Sequence, residues 1–157
     1  MELHQKPRSR LSLSDDYETP TELYKELCFT HAVEPKIDVC ANVDNKKCQD
    51  FFGVNVDGLL CSWTVDAWVN PPHSMTGKFV EKACNEWKKY NINVMMIIPA
   101  NTCSSKYWHE FIQPYASYYP IMGRIRFLHE GKPSEHMSRN AYMCVVFRKI
   151  ITDQSQL

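Results

Sequence analysis

No two cysteines in this sequence stand at metal-chelating spacing. The seven of them, Cys28, Cys40, Cys48, Cys61, Cys84, Cys103 and Cys144, lie singly, which argues against zinc ribbons and fingers. They are odd in number and mostly beside apolar residues, so they read as reduced thiols suited to the cytoplasm. The six histidines add no ligand spacing, and no metal is expected. Net charge is missing as well. Lys plus Arg, 18 in all, offset 18 Asp plus Glu, so any polyanion site must be a local patch rather than a field over the whole surface. Long apolar runs are absent: the longest, Val94 to Ala100, falls far short of the roughly 20 residues that cross a bilayer. The opening Met1-Glu2-Leu3-His4 starts no signal-peptide core. A soluble protein, with no membrane partner, is expected.

What remains is an ordinary globular composition. With 157 residues, 44% hydrophobic and 23% charged, the chain has the size of one domain and can bury roughly two-thirds of its unfolded surface. Residues 1–15, carrying Lys6, Arg8 and Arg10 without a clear period, read as a basic arm that can touch phosphate, or equally as an end with no role. Residues 16–150 form the expected domain and 151–157 a tail.

Thr19-Pro20-Thr21-Glu22 predicts a helix start, with Thr19 as cap, Pro20 in the first turn and Glu22 completing a capping box. Lys36 to Ala41 is a short apolar run holding one acid, Asp38, as in a buried central strand. Val65 to Val69 predicts a second strand, stopped by Asn70-Pro71-Pro72. Met75 to Tyr90 repeats apolar residues at helical spacing, Asn93 to Pro99 predicts a buried strand, and Ser104 to Gln113 a helix closed by Pro114. Ser117 to Met122, Arg124 to Leu128 and Ala141 to Arg148 are strand-like, and the short loop between the last two favours their antiparallel pairing. The expected architecture is a single α/β domain whose sheet is parallel in its middle and finished by antiparallel edge strands.

The tetrapeptide Asn70-Pro71-Pro72-His73 follows the carboxyl end of a predicted central strand, where open α/β sheets bind ligands. Such a loop can solve one chemical problem. The exocyclic amine of an aromatic ring is a poor nucleophile because its lone pair is delocalised, and it needs acceptors for both hydrogens. The Asn70 side-chain oxygen and the Pro71 carbonyl supply one each. Paired prolines hold the carbonyls outward in a rigid loop, and His73 offers a flat ring to stack on an extruded base. The same four residues also serve as a plain strand stop with a turn former.

Several motifs in one order resemble the small phage-type, Dam-like DNA N6-adenine methyltransferases of bacteriophages and prophages. They are Asp16-Tyr17-Glu18-Thr19-Pro20, Asp38-Val39-Cys40-Ala41, Asn45-Lys46, Asp57-Gly58-Leu59 with Trp63, Asn70-Pro71-Pro72, Lys82-Ala83, Ile98-Pro99 and Gly123-Arg124-Ile125, spanning about Asp16 to Phe147. The resemblance implies a Rossmann-like methyltransferase fold, S-adenosylmethionine as methyl donor, and direct in-line transfer to the N6 amine of adenine in DNA. It implies roles too: Tyr17, Thr19 and Pro20 close over the methionine end of the cofactor, Asp38 and Ala41 occupy the motif that is elsewhere a Gly-rich turn, and Asp57 hydrogen-bonds the cofactor adenine. On chemical grounds Asp38 can bind an α-ammonium, Asn45 can reach ribose hydroxyls, and Asn70 borders both ligands. As alternatives, Asp38 is a satisfied buried acid and Asp57-Gly58 and Asp44-Asn45 are turn pairs.

Two departures stand out: His73 where the family usually has an aromatic Tyr or Phe after the prolines, and no Gly-x-Gly turn near Asp38. Histidine stacks less surface and ionises near neutral pH. They keep rival readings open, namely a catalytically weak or inactive module that binds cofactor or nucleic acid, or methyl transfer to RNA or a protein amide. Arg124 and Arg126, alternating with Ile125 and Phe127, join Lys132, Arg139 and Arg148 as a candidate phosphate-facing patch, with Lys78 on the loop beyond His73. A solvated sheet face accounts for them equally. Trp63 and Tyr107 are candidate base-stacking rings, Ser74 to Lys78 and His129 to Arg139 candidate recognition loops of modest sequence specificity, and a homodimer is left open.

Overall fold

The computed structural model describes residues 17–53 and 57–152. Residues 1–16, and with them the basic arm and Asp16 of the first motif, lie outside the described residues, as do 153–157 of the tail. The chain runs α1 (Thr21–His31), β1 (Ile37–Asp38), β2 (Asp50–Phe51), β3 (Ala67–Val69), α2 (Thr76–Tyr90), β4 (Val94–Pro99), β5 (Ser117–Pro120), β6 (Leu128–His129), β7 (Lys132–Pro133) and β8 (Tyr142–Phe147). Six strands make one sheet in the order β2-β1-β3-β4-β8-β5, and β6-β7 form a separate hairpin.

The first four strands of the sheet are parallel, with Ile37 opposite Asp50 and Ala67, and Ala67 opposite Val94. Strand β4 carries apolar side chains on both faces, as a strand covered on both sides requires. Met95 and Ile97 pack with Leu27, Val33 and Trp68 on the α1 side; Val94, Met96 and Ile98 pack with Phe79, Val80, Ala83 and Cys84 of α2. Helix α2 follows its predicted period and ends at Asn91 in the left-handed conformation (φ 50°), a role asparagine tolerates.

Three expectations are corrected. Helix α1 is capped by Pro20, whose ψ of 137° keeps it outside the helix, and among the described residues no side-chain cap bond is made to its first turn. Thr19 therefore stands one residue too far out for a capping box, and its hydroxyl is buried without a partner among the described residues. Residues 104–113 do not form an α-helix. A 3-10 turn over Ala100–Ser104 leads into a π turn over Trp108–Ile112, closed by Gln113 N donating to Trp108 O at 2.9 Å; the wide turn buries both Trp108 and Ile112. Finally, Arg124 to Leu128 does not pair with β8. Strand β8 lies between β4 and β5, antiparallel to both, because its run Met143–Phe147 is buried on both faces and belongs inside a sheet. Residues 124–127 run beside the sheet, with Ile125 and Phe127 buried and the two arginines exposed.

Candidate active site

Strand β1 is followed by β2 on one side, whereas β3 and β4 lie on the other. The chain thus reverses its winding between β1 and β3, and at such a switch point the loops leaving the carboxyl ends diverge and open a crevice. Asp38 ends β1 and Asn70 follows β3, so topology alone brings these two side chains to the same rim.

Asp38 is 3% exposed. Its Oδ1 accepts from Cys40 N at 3.2 Å and its Oδ2 from Lys47 N at 2.9 Å, which folds the 38–47 loop back on the strand. No cation stands within ion-pair distance of it among the described residues. Burial pushes its carboxyl up to about 6, against the opposing pull of the Lys47 and Cys40 amides and of the Lys47 charge. Further along the loop Asn42 and Asn45 bind each other's backbone: Asn45 Oδ1 accepts from Asn42 N at 2.7 Å, and Asn42 Oδ1 accepts from Asn45 N at 3.0 Å. Ala41 is tied by its N–H to Phe52 O at 3.1 Å.

Asp57 forms a turn, its Oδ1 accepting from Leu59 N at 2.9 Å. Gly58 is required beside it, since a Cβ there would sit 2.4 Å from Val39 O. Trp63, fully buried, donates its Nε1 to Gly58 O at 2.8 Å, so it anchors this turn and is not a stacking ring. Burial raises the Cys40 thiol well above its ordinary value, and the charges of Asp38 and Asp57 raise it further. Cys40 thus stays a neutral thiol, and the close approach of Gly58 to Val39 O sets the Asp57 turn against the segment that follows Asp38.

Past β3, Asn70 is half-buried, and its Nδ2 donates to Tyr17 O at 3.0 Å. Among the described residues no hydrogen bond reaches Asn70 Oδ1, and no backbone donor reaches Pro71 O. Pro72 leads into a 3-10 turn over His73–Met75, with Thr76 Oγ1 donating to His73 O at 3.0 Å. Asn70, Pro71 and His73 line a narrow pocket with Tyr17, Thr76, Ile97, Pro99, Phe127 and Tyr142. Its aromatic wall is ordered: Tyr17 stacks on Phe127 (centroids 5.5 Å apart, planes 7° apart), and Tyr142 meets Phe127 edge-on at 5.0 Å. Burial raises the Tyr142 phenol, and Tyr17 adds to the rise, so it stays a neutral donor. Phe127 and Tyr142 are not legible as site residues in the sequence, although the alternation that buries Phe127 is; their meeting with Tyr17 depends on long-range folding.

Thr19 and Pro20 follow directly in the strap that carries Tyr17, where Glu18 pairs with Leu128 of the hairpin. The basic candidates divide. Ile125 N donates to Ser138 Oγ at 3.2 Å and Ser138 N to Ile125 O at 2.8 Å, which sets Arg124 and Arg139 on adjacent exposed segments. Arg126 braces the same loop through Ser134 O at 3.3 Å. Lys78 is exposed in the first turn of α2, near the pocket. Arg148 is excluded from the patch: it follows Phe147, which pairs with Val94 at the opposite end of the sheet, and it donates to His31 O at 2.8 Å. Tyr107 packs over Gly77, where a Cβ would meet its ring at 2.8 Å, and is not a stacking platform.

Among the described residues no group of three or more His, Cys, Asp or Glu could hold a metal, and no helix is long and apolar enough to cross a membrane. A mostly parallel sheet covered on both faces, with an Asn-Pro-Pro loop lining a pocket past the carboxyl end of β3, defines a methyltransferase-like α/β domain. The family model described as DNA N-6-adenine-methyltransferase (Dam) matches residues 7–157, and the chain belongs to that family. It is also 28% identical, over 96 residues, to the DNA N-6-adenine-methyltransferase of Escherichia phage T1. That stretch is 60% of this chain and 40% of the phage protein, so the similarity spans less than half of the relative.

Proposed function

We propose that the protein transfers a methyl group from S-adenosylmethionine to the N6 amine of adenine in DNA. The observation that carries this reading is the Asn70 amide at the crevice, its nitrogen held by Tyr17 O and its oxygen without a protein donor among the described residues. An acceptor so placed takes one amine hydrogen and the Pro71 carbonyl takes the other, which draws the nitrogen toward tetrahedral geometry and compensates the charge it gains. His73 lines the pocket, and the exposed ring of Tyr17, backed by the buried Phe127, supplies stacking surface that a single histidine lacks.

The residues present fit the cofactor. A carboxylate that is buried without an ion pair suits an α-ammonium, and Asp38 is one. The hydroxyl of Thr19, buried and unpartnered among the described residues, suits a polar group at the methionine end. Asp57 would accept from an adenine amine, Asn45 and Ala41 would serve the ribose, and Tyr17, Pro20 and Asn70 would complete the hold on the cofactor. When bound, S-adenosylmethionine supplies an electrophilic methyl on a sulfonium. Cys40 takes no part as a nucleophile, because burial and the two acids keep it neutral, and no covalent enzyme intermediate is needed. Arg124, Arg126, Arg139 and Lys78 contact DNA phosphates, and the setting is the cytoplasm of a host cell.

Incubation with tritiated donor and a panel of unmethylated DNA, RNA and protein tests the proposal. Label is expected in the N6 position of DNA adenine across many sequence contexts. Label confined to RNA or protein, or none in any acceptor while the donor still binds, refutes it.

A further inference from the structure

We infer that the strap Tyr17–Glu18 is a positioning device that holds the Asn70 amide in its acceptor-outward orientation and ties that orientation to the β6-β7 hairpin; this rests on the methyl-transfer reading above. An asparagine amide is nearly symmetric in shape, yet its two orientations present opposite chemistry to an amine. One offers an acceptor oxygen, the other two N–H donors facing two more. The Tyr17 carbonyl can only accept, so its 3.0 Å contact selects the rotamer with nitrogen toward the strap and oxygen toward the crevice.

The strap is itself held from the far side. Glu18 N donates to Leu128 O at 2.8 Å and Leu128 N to Glu18 O at 2.9 Å, a two-bond bridge to the first strand of the hairpin. The Tyr17 ring lies parallel on Phe127, which is 3% exposed and fixed against Tyr142. Phe127 O accepts from Ser134 N at 2.9 Å, beyond the hairpin's second strand. One residue of chain therefore separates the hairpin and its neighbouring arginines from the carbonyl that orients Asn70. A hairpin lifted off Glu18 frees Tyr17, and the amide loses its bias. Phe127 and Tyr17 are positioning residues in this scheme, acting through Asn70.

Asn70→Asp makes the idea testable, because a carboxylate oxygen against the Tyr17 carbonyl has no hydrogen to share and only the protonated acid restores the contact. Methylation of unmethylated duplex DNA is measured for wild type, Asn70→Asp, Phe127→Leu and Phe127→Tyr over a pH series. The variant-to-wild-type ratio of kcat for Asn70→Asp is expected to rise about tenfold per pH unit as pH falls toward the range of the introduced carboxyl, a ratio in which groups common to both proteins cancel. Phe127→Leu is expected to lose at least about fivefold in kcat with the donor KM little changed, and Phe127→Tyr to restore it. Side-chain amide exchange by NMR gives a readout without turnover: the Asn70 Nδ2 hydrogens, assigned by their loss in Asn70→Asp, are expected to exchange at least about fivefold more slowly in wild type than in Phe127→Leu. A pH-flat ratio, or equal exchange in wild type and Phe127→Leu, overturns the strap. Slow amide exchange in a wild type that labels no DNA overturns the methyl-transfer reading instead.

Discussion

The carboxyl of Asp38 is lifted to about 6 from an ordinary 3.8, with burial the dominant cause. The folded chain therefore binds this proton more tightly than the unfolded chain does. Between these two values the native state keeps a proton that the unfolded state has released, so the group favours folding fully below about pH 4 and loses that advantage as pH rises through about 6. Above that, an unpaired buried carboxylate costs about 3 kcal/mol, from roughly two units at about 1.4 kcal/mol each. Asp38→Asn removes the titration. It also turns an NH2 toward one of the two backbone donors that Asp38 now satisfies, a pH-independent loss of about 1–3 kcal/mol. Relative to wild type, the variant should gain about 3 kcal/mol between about pH 4 and 7, or roughly 6–12 °C in relative Tm for a chain of this size. Urea or thermal unfolding of both proteins across that range reads the difference directly. A ligand cation beside Asp38 reverses the trend, so S-adenosylmethionine should stabilise wild type more near pH 7 than near pH 5, and stabilise Asp38→Asn little at either. A wild-type-to-variant difference that is flat with pH refutes the burial argument. Equal stabilisation of the two by the donor removes Asp38 from the cofactor site.

Asn70→Ala should leave donor binding by calorimetry near wild type and lower kcat by at least about 100-fold, since only the transition state uses the missing acceptor. Gly58→Ala should destabilise the fold by about 1–3 kcal/mol and weaken donor binding, because its Cβ would meet Val39 O at 2.4 Å and push the Asp57 turn off β1; urea unfolding and calorimetry measure the two effects. Arg124→Ala with Arg139→Ala should weaken DNA binding alike on all sequences and shrink the slope of log K against log salt by roughly 0.9 for each phosphate no longer neutralised; an unchanged slope removes both from the interface.

Periodicity carried the core of the fold. Helix α2 and strand β4 are one-sided and two-sided apolar segments long enough for spacing to declare them, and they begin and end within a residue of expectation. The errors fall where tertiary pairing decides. Strand β8 is visible as a strand, but its place between β4 and β5 follows from burial of both its faces, which outweighs the proximity of residues 124–128 in the chain. Thr19 carries the sequence pattern of a cap, and only the extended ψ of Pro20 shows that the helix starts one residue later. Of the proposed site residues, Asp38 and Asn70 are readable because one lies within a short apolar run and the other follows one, whereas Asp57 is singled out by the family resemblance alone. Phe127 and Tyr142 are not, since an aromatic residue in an alternating segment looks the same whether it faces core or crevice.

The missing Gly-x-Gly turn poses a sharper question, because glycines there ordinarily let backbone approach a ligand and expose N–H donors. Here side chains shape the loop instead. Asp38 pins it at both ends through the Cys40 and Lys47 amides, and Asn42 and Asn45 each cap the other's backbone in between. Glycine is kept on the far side of the crevice, at Gly53 and Gly58, where a Cβ would strike Ala41 O at 2.9 Å and Val39 O at 2.4 Å. The close packing that a Gly-rich turn would achieve within one loop is thus divided between two: a carboxylate-pinned loop after β1, and small residues on the segments that press against it. This arrangement makes the loop's shape depend on a titratable group, so the same carboxyl that fits a cofactor cation also holds the backbone around it. Loss of the Asp38 charge at low pH relieves the buried carboxylate and removes the partner of a cofactor cation, so the fold should gain stability while donor affinity declines.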